Sequence, residues 1–87
     1  MANHKDAIKR HKQSENRRIR NRAFRTRMRN AVKSVRTAVA NGDSATAQTA
    51  LKDATSILHK TVTKGVIHRN QAARKLSRLS AAVKALQ

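Results

Sequence analysis

The chain has only two glycines and no proline in 87 residues, so few positions oblige a helix to end. Asn41-Gly42 provides one C-terminal stop, and Asp43 or Ser44 provides an N-cap for a following helix. Lys64-Gly65 is a second stop, with a cation in the last turn. Because most remaining residues favour helix, this punctuation predicts three helices, at about residues 4–40, 44–63 and 67–86.

Apolar side chains recur at helical spacing in each predicted segment. When residues are projected at about 100° per residue, each segment shows one apolar stripe. The stripes comprise Phe24, Met28, Ala31, Val35, Ala38 and Val39 with Val32 at the edge, then Ala47, Ala50, Leu51, Ala54, Ile57, Leu58 and Val62, then Ala72, Ala73, Leu76, Leu79, Val83 and Leu86. Each stripe has to cover the others, which predicts an all-α fold, an antiparallel three-helix bundle forming a single domain over residues 1–87.

The first helix is expected to extend well beyond the other two. At about 1.5 Å per residue it would be about 55 Å long, against about 30 Å for each of the others, so about 25 Å should overhang. If the apolar stripe of this helix is continued toward the N-terminus, its positions hold Arg20, Arg17 and Arg10 in place of apolar residues. That half therefore has no apolar face to pack. Asn3 is expected to cap this helix, with Asp6 in its opening turn.

Positive charge is concentrated in the predicted first helix. The net charge is +17, and the first 36 residues hold thirteen Lys and Arg against two acids. Residues 37–60 are net neutral, and residues 61–87 hold six cations and no acid. Self-repulsion at this density opposes compaction, so a polyanionic partner is implied. Arg74, Lys75 and Arg78 predict a second phosphate-facing surface on the third helix.

Phe24 is the only aromatic residue, which limits how a nucleic acid is read. With Phe24 on the core stripe there is no platform on which bases could stack, so an RRM-like or OB-like mode is not expected. Recognition should instead depend on phosphate spacing and RNA shape. Amides at Asn16, Asn21, Asn70 and Gln71 are either additional contacts or ordinary surface residues.

Other chemistries find little support in the residue pattern. The four acids are scattered, the histidine spacings match no common zinc motif, and there is no Gly-rich phosphate loop, so we expect no catalytic residues, metal or cofactor. The absence of cysteine fits a reducing compartment, and a cytoplasmic location is the default expectation. No apolar run approaches the length needed to span a bilayer, and no secretion signal is evident.

Several alternatives share parts of this pattern. A nucleoid or histone-like DNA-binding protein would have similar charge but should bind duplex DNA comparably and dimerise. A membrane-disrupting cationic helix would need a continuous apolar face, which Arg10, Arg17 and Arg20 interrupt. An organelle transit peptide is opposed by Asp6 and Glu15. A basic bundle with no polyanionic partner leaves the charge without a role.

The residues around the second stop closely resemble the signature of the bacterial small-subunit ribosomal protein family numbered twenty. These residues are Lys64-Gly65-Val66-Ile67-His68-Arg69-Asn70-Gln71-Ala72-Ala73-Arg74-Lys75, followed by Ser77-Arg78-Leu79. The N-terminal pattern of that family is similar to Met1-Ala2-Asn3, Lys5, Ala7-Ile8-Lys9-Arg10, Gln13-Ser14-Glu15 and Arg17-Arg18 with Asn21. Gly42-Asp43 falls at its usual first turn. The resemblance spans nearly the whole chain.

The resemblance implies a structural, non-enzymatic protein that binds 16S ribosomal RNA directly, early in assembly, at the foot of the small ribosomal subunit. It implies a ribosome-associated location, few protein contacts, no membrane and no small-molecule substrate. Asp6 stands where the family commonly has serine, and Gln71 and Leu76, which carry no charge, stand where it commonly has cations. Together, the pattern and the resemblance predict RNA contacts from Lys5, Lys9, Arg10, Arg17, Arg18, Arg20, Asn21, Arg22, Arg25, Arg29, His68, Arg69, Asn70, Arg74, Lys75 and Arg78.

Overall fold

The computed structural model describes residues 4–86 and contains three helices in that range. They are α1 (His4–Ala40), α2 (Ser44–Thr63) and α3 (Arg69–Lys84). The described residues form no strand, so the expectation of an all-α three-helix fold is confirmed. The bounds of α1 and α2 coincide with the expected ranges. The N-cap expected at Asn3 lies outside the described residues.

Both glycines end a helix in the left-handed conformation. Gly42 has φ +70°, and the N–H groups of Gly42 and Asp43 donate to the carbonyls of Val39 and Ala38 at 3.0 and 3.1 Å. Gly65 repeats this arrangement after α2, with φ +74°. These paired bonds form Schellman motifs, which satisfy carbonyls that the helix end leaves free. A residue with a Cβ atom would adopt this φ only with strain.

Helix α2 begins at a capping aspartate. The Thr46 N–H donates to Asp43 Oδ1 at 3.1 Å, and the Thr46 hydroxyl donates to Asp43 Oδ2 at 2.6 Å. Because both bonds favour the charged carboxylate, they hold the pKa of Asp43 below its ordinary value.

Helix α3 is shorter than the predicted range of 67–86. It begins at Arg69 because His68 is the N-cap, with extended backbone and with Nδ1 accepting from the Asn70 N–H at 3.1 Å. It ends at Lys84, and the last two described residues form a turn whose N–H groups still bond to Ala81 and Val83. The prediction was therefore wrong by two residues at each end, where capping decides the boundary.

The core consists of two adjoining clusters that contain side chains from all three helices. One cluster packs Val35 and Ala38 of α1 against α2 and the C-terminal half of α3, where Leu79 lies. The other packs Met28 against Leu58 and Ala72, with Ile67 of the connecting loop at its edge. Since Met28 lies level with Ala72, and Val35 with Leu79, α3 runs parallel to α1 and α2 antiparallel to both.

Three residues depart from the predicted core. Ala73 was predicted to be buried but is exposed, because it lies at the outer margin of the α3 stripe. Phe24 is half-buried and belongs to neither cluster. Thr61, which was not predicted, is fully buried, and its hydroxyl donates to the Ile57 carbonyl at 2.7 Å. That bond to its own helix allows a polar side chain in the core.

The N-terminal part of α1 extends beyond the bundle. Met28 is the first buried residue along the described chain, and the longest dimension of the molecule is 63 Å, against 20 and 14 Å across. The Arg20 guanidinium reaches the Lys64 carbonyl at the end of α2, which marks the limit of the bundle. Residues 4–19, about 24 Å of helix, lie beyond this point and are called the overhang.

Candidate nucleic-acid interface

The cations of α1 form two rows along opposite flanks of the helix. On a projection of about 100° per residue centred on Met28, both rows lie to the sides of the core stripe. Arg10 and Arg17 continue the direction of the stripe itself along the overhang. All of these side chains are exposed. One row comprises Arg18, Arg22, Arg25, Arg29 and Arg36, and the other comprises Lys9, Arg20 and Arg27.

Glu15 partly offsets the positive charge of the first row. The Arg18 guanidinium lies 3.0 Å from Glu15 Oε2, with the two side chains 76% and 41% exposed. An ion pair in this environment contributes less than about 1 kcal/mol to stability, so it leaves Arg18 available for a stronger anion.

Three further predicted RNA contacts, Lys5, Lys9 and Arg10, lie on the overhang.

Arg20 and Arg27 of the second row each make a contact within the protein. Arg20 Nη2 donates to the Lys64 carbonyl oxygen at 3.5 Å. The Arg27 guanidinium carbon lies 5.7 Å from the centroid of the Phe24 ring, a cation–π distance. Both guanidinium groups are therefore partly oriented before any ligand binds. Arg27 was absent from the predicted set, although its position seven residues after Arg20 placed it in the same row.

Arg74, Lys75 and Arg78 lie on the side of α3 away from its groove with α2. Ala73 and Leu76 line a shallow groove shared with Leu58 and Val62 of α2, which identifies the α2-facing side of α3. The opposite side of α3 therefore faces α1. A shallow depression on this side is lined by Gln71, Arg74, Lys75 and Arg78.

The first row of α1 faces the same gap. Ala38 and Arg20 project toward α2, since Ala38 lines a depression with Thr46 and Arg20 reaches Lys64. The arginines of the first row project from the other side, toward α3. From the helical projection we infer that Arg25, Arg29 and Arg36 of α1 and Lys75 and Arg78 of α3 border a common α1–α3 cleft. Lys75 is half-buried, and Arg78 is exposed.

The residues at the start of α3 make different contacts within the protein. The Nδ1 atom of His68 accepts the capping hydrogen bond from the Asn70 N–H. The other atoms of this exposed imidazole ring take no part in the cap. The Asn70 carbonyl accepts a 3.5 Å bond from Arg74 Nε, which steadies that guanidinium. Arg69 lies in the α2–α3 groove beside His59. It is exposed, but it does not join the α1–α3 cleft.

Asn21 is not a simple surface amide. The residue is half-buried, and its Oδ1 atom is buried with no hydrogen-bond partner in the described structure. Its position seven residues before Met28, on the same side of α1, explains this burial. A buried acceptor without a partner is costly, so a bound partner or a local shift has to supply a donor.

The described residues contain neither a cluster of metal ligands nor a helix that could span a membrane. Among residues 4–86, no group of three or more His, Cys, Asp or Glu could hold a metal ion. No helix in this range is long and apolar enough to cross a bilayer.

The chain is similar to known proteins over nearly its whole length. The sequence model of the family described as ribosomal protein S20 matches residues 2–84. The small ribosomal subunit protein bS20 of Oleidesulfovibrio alaskensis is 60% identical over 87 residues, which is all of both chains. The bS20 of Desulfovibrio desulfuricans is 56% identical over all of this chain and 98% of its own length. That of Syntrophobacter fumaroxidans is 52% identical over 99% of this chain and its whole length. The chain therefore belongs to the ribosomal protein S20 family, whose members are structural and non-enzymatic components of the ribosome.

Proposed function

We propose that this protein binds 16S rRNA directly and helps to fix the fold of that RNA while the small subunit assembles. The single three-helix domain would act as a clamp, with α1 lying among several rRNA segments and α3 contacting a neighbouring one. Phosphate and shape contacts would provide most of the affinity. Such a role needs no catalytic residue and no cofactor.

One observation carries the proposal. The ten Lys and Arg side chains of α1 that precede Met28, the first buried residue, are all exposed, and only two acids, Asp6 and Glu15, lie in the same stretch. Like charges at i,i+4 destabilise an exposed helix, which makes the overhang unfavourable until anions surround it. The relatives named small ribosomal subunit protein favour ribosomal RNA as the source of those anions.

The α1–α3 cleft supports the clamp arrangement. Cations from two helices face one gap, so a single RNA backbone lying there would contact both helices at once. Helix α2 has few charges, with Lys52 and Asp53 adjacent, and its core side chains Ala47, Ala54 and Leu58 fix the spacing of α1 and α3. We infer that α2 acts mainly as a structural support and that the protein makes few contacts with other proteins. A ribosome-associated, cytoplasmic location follows from this role.

Binding to transcribed 16S rRNA, in competition with duplex DNA, tests the proposal. Direct binding to protein-free rRNA is expected, with footprints confined to a few helices and with DNA competing poorly. Equal competition by duplex DNA of the same length would contradict it and favour a nucleoid-type protein. Failure to bind protein-free 16S rRNA would also contradict it.

A further inference from the structure

Two large apolar side chains are exposed on the side of α1 that faces away from the bundle. Ile19 is 64% exposed and Ile8 is 48% exposed. On the helical projection Ile19 lies opposite Met28, and Ile8 lies within about 20° of Ile19. Because α2 and α3 pack against the Met28 side, neither helix can cover these two residues.

The same side of the helix carries no arginine. We define the outer strip as the residues that project within about 40° of the direction of Ile19. None of the nine arginines of α1 falls within it. Between Glu15 and Asn30 the strip holds no cation at all, although this stretch of α1 is rich in arginine. Its members are Lys5, Ile8, Lys12, Glu15, Ile19, Ala23, Thr26, Asn30, Lys33 and Thr37.

Charge complementarity decides what could cover Ile19. A surface that reaches Ile19 must also face Arg22 on one flank and Arg20 on the other, each exposed. An apolar protein surface would desolvate these cations without pairing them, which is strongly unfavourable. A nucleic-acid groove supplies phosphates at both walls, with ribose carbons and base edges between them.

The dimensions of RNA select one groove. A helix with its side chains is about 10–12 Å across. The major groove of A-form RNA is too deep and narrow for side chains to read, whereas its minor groove is wide, shallow and lined by ribose. A helix lying on the minor groove would direct its lower side to sugars and its flanks to the two backbones.

We propose that the overhang and the adjoining part of α1 lie along the minor groove of an RNA helix, with the outer strip toward the groove floor. Ile19 contacts ribose and base edges, and the two cationic rows contact opposite backbones. This orientation rests on the proposed rRNA binding and adds which side of α1 faces the groove. It separates the affinity into a phosphate part that depends on salt and an Ile19 part that does not.

A tethered cleavage probe tests the orientation. The chain has no cysteine, so Ile19→Cys provides a unique attachment site for a reagent that generates hydroxyl radicals. Bound to 16S rRNA, this variant is expected to cleave both strands of one helix, at positions facing each other across a minor groove. Thr37→Cys, on the same strip but beside the bundle, serves as the matched control and should give weaker cleavage elsewhere. Cleavage from position 19 confined to one strand, or absent while RNA is bound, would overturn the proposal.

Salt dependence provides a second measurement. Ile19→Gln is expected to weaken 16S rRNA binding by about tenfold at every salt concentration, because it removes apolar contact but no charge. The slope of log affinity against log salt should stay unchanged, and Ile19→Leu should restore most of the affinity. Unchanged affinity, or a changed slope, would contradict the assignment. A loss seen only in the assembled subunit would instead indicate a protein on the strip. If the unsubstituted chain does not bind 16S rRNA at any salt, the proposed function itself fails.

Discussion

The Arg20 guanidinium donates to the carbonyl oxygen of Lys64 at 3.5 Å. Lys64 is the C-cap of α2, so this bond joins the middle of α1 to the C-terminal end of α2. The C-terminal carbonyls of a helix carry partial negative charge, which makes a cation favourable there. This contact lies where the overhang begins. It therefore links the first residue after the overhang to the C-terminal end of α2.

Replacing Arg20 should affect RNA binding more than folding. Both partners are exposed and the bond is long, so Arg20→Gln should change the free energy of unfolding by less than about 1 kcal/mol. Affinity for 16S rRNA should fall, because a phosphate contact is lost. Urea unfolding followed by circular dichroism, together with rRNA titration, measures the two effects. A large loss of stability with unchanged RNA affinity would show that Arg20 serves only the fold.

Removing four arginines, two from the overhang and two from the first row beyond it, should abolish most RNA affinity while leaving the core intact. For the unsubstituted chain, about eight phosphate contacts give a slope of log affinity against log salt of roughly −6 to −7. Replacing Arg17, Arg18, Arg22 and Arg25 with Gln should reduce that slope to roughly −3. None of the four side chains belongs to the core, so the cooperative unfolding transition should persist.

A control for this variant replaces cations on the supporting helix. Lys52→Gln and Lys60→Gln remove exposed charges from α2 and should change the slope little. An equal change per charge removed from either helix would show that charge alone, and not its placement on α1, determines binding.

Leucine truncations should distinguish the deep core from its margin. Leu58 is 1% exposed, so Leu58→Ala should cost about 2 to 5 kcal/mol of unfolding free energy. Leu51 and Leu76 are only half-buried, and alanine at either should cost less. Urea denaturation of the three variants gives the comparison. Equal losses at Leu58 and Leu76 would contradict the placement of Leu76 at the margin of the groove.

Asp43, the N-cap of α2, should make the stability of the fold depend on pH in acidic solution. The pKa of Asp43 is lowered from 3.8 in the folded state by the Thr46 hydroxyl and N–H bonds. A lowered folded pKa means that the carboxylate stabilises the fold above pH 3.8, and that this contribution is lost as pH falls through the folded pKa. Asp43→Asn keeps a capping oxygen without the charge, so its thermal midpoint should fall less between pH 5 and pH 2. A decline as steep as that of the unsubstituted chain would exclude this origin.

The turns and stripes could be read from the sequence because they depend on local chemistry. Gly42 and Gly65 end helices wherever the rest of the chain packs, since only glycine adopts their positive φ without strain. The spacing of Met28 and Val35 likewise predicts burial from the helical period alone. The start of α3 was less predictable, because an imidazole cap at His68 competes with continuation of the helix.

The candidate site was only partly predictable. Sequence alone identified the cations and predicted RNA contacts from Asn21 and Arg69, but it did not give the surroundings of these two side chains. The structure buries Asn21 Oδ1 and directs Arg69 to the α2–α3 groove. Helical periodicity could have found the burial of Asn21, whereas the direction of Arg69 depends on which side of α3 faces α2.

The sequence by itself therefore determined the three helices, the apolar stripe of each and a first helix too cationic to pack along its whole length. These properties follow from propensity, capping and periodicity, which act over a few residues. Only the tertiary structure decided that Arg20 reaches the Lys64 carbonyl, that Arg69 lies in the α2–α3 groove and that Thr61 is buried. Those outcomes depend on how three stripes rotate to cover one another, and that rotation is fixed by packing between residues far apart in the chain.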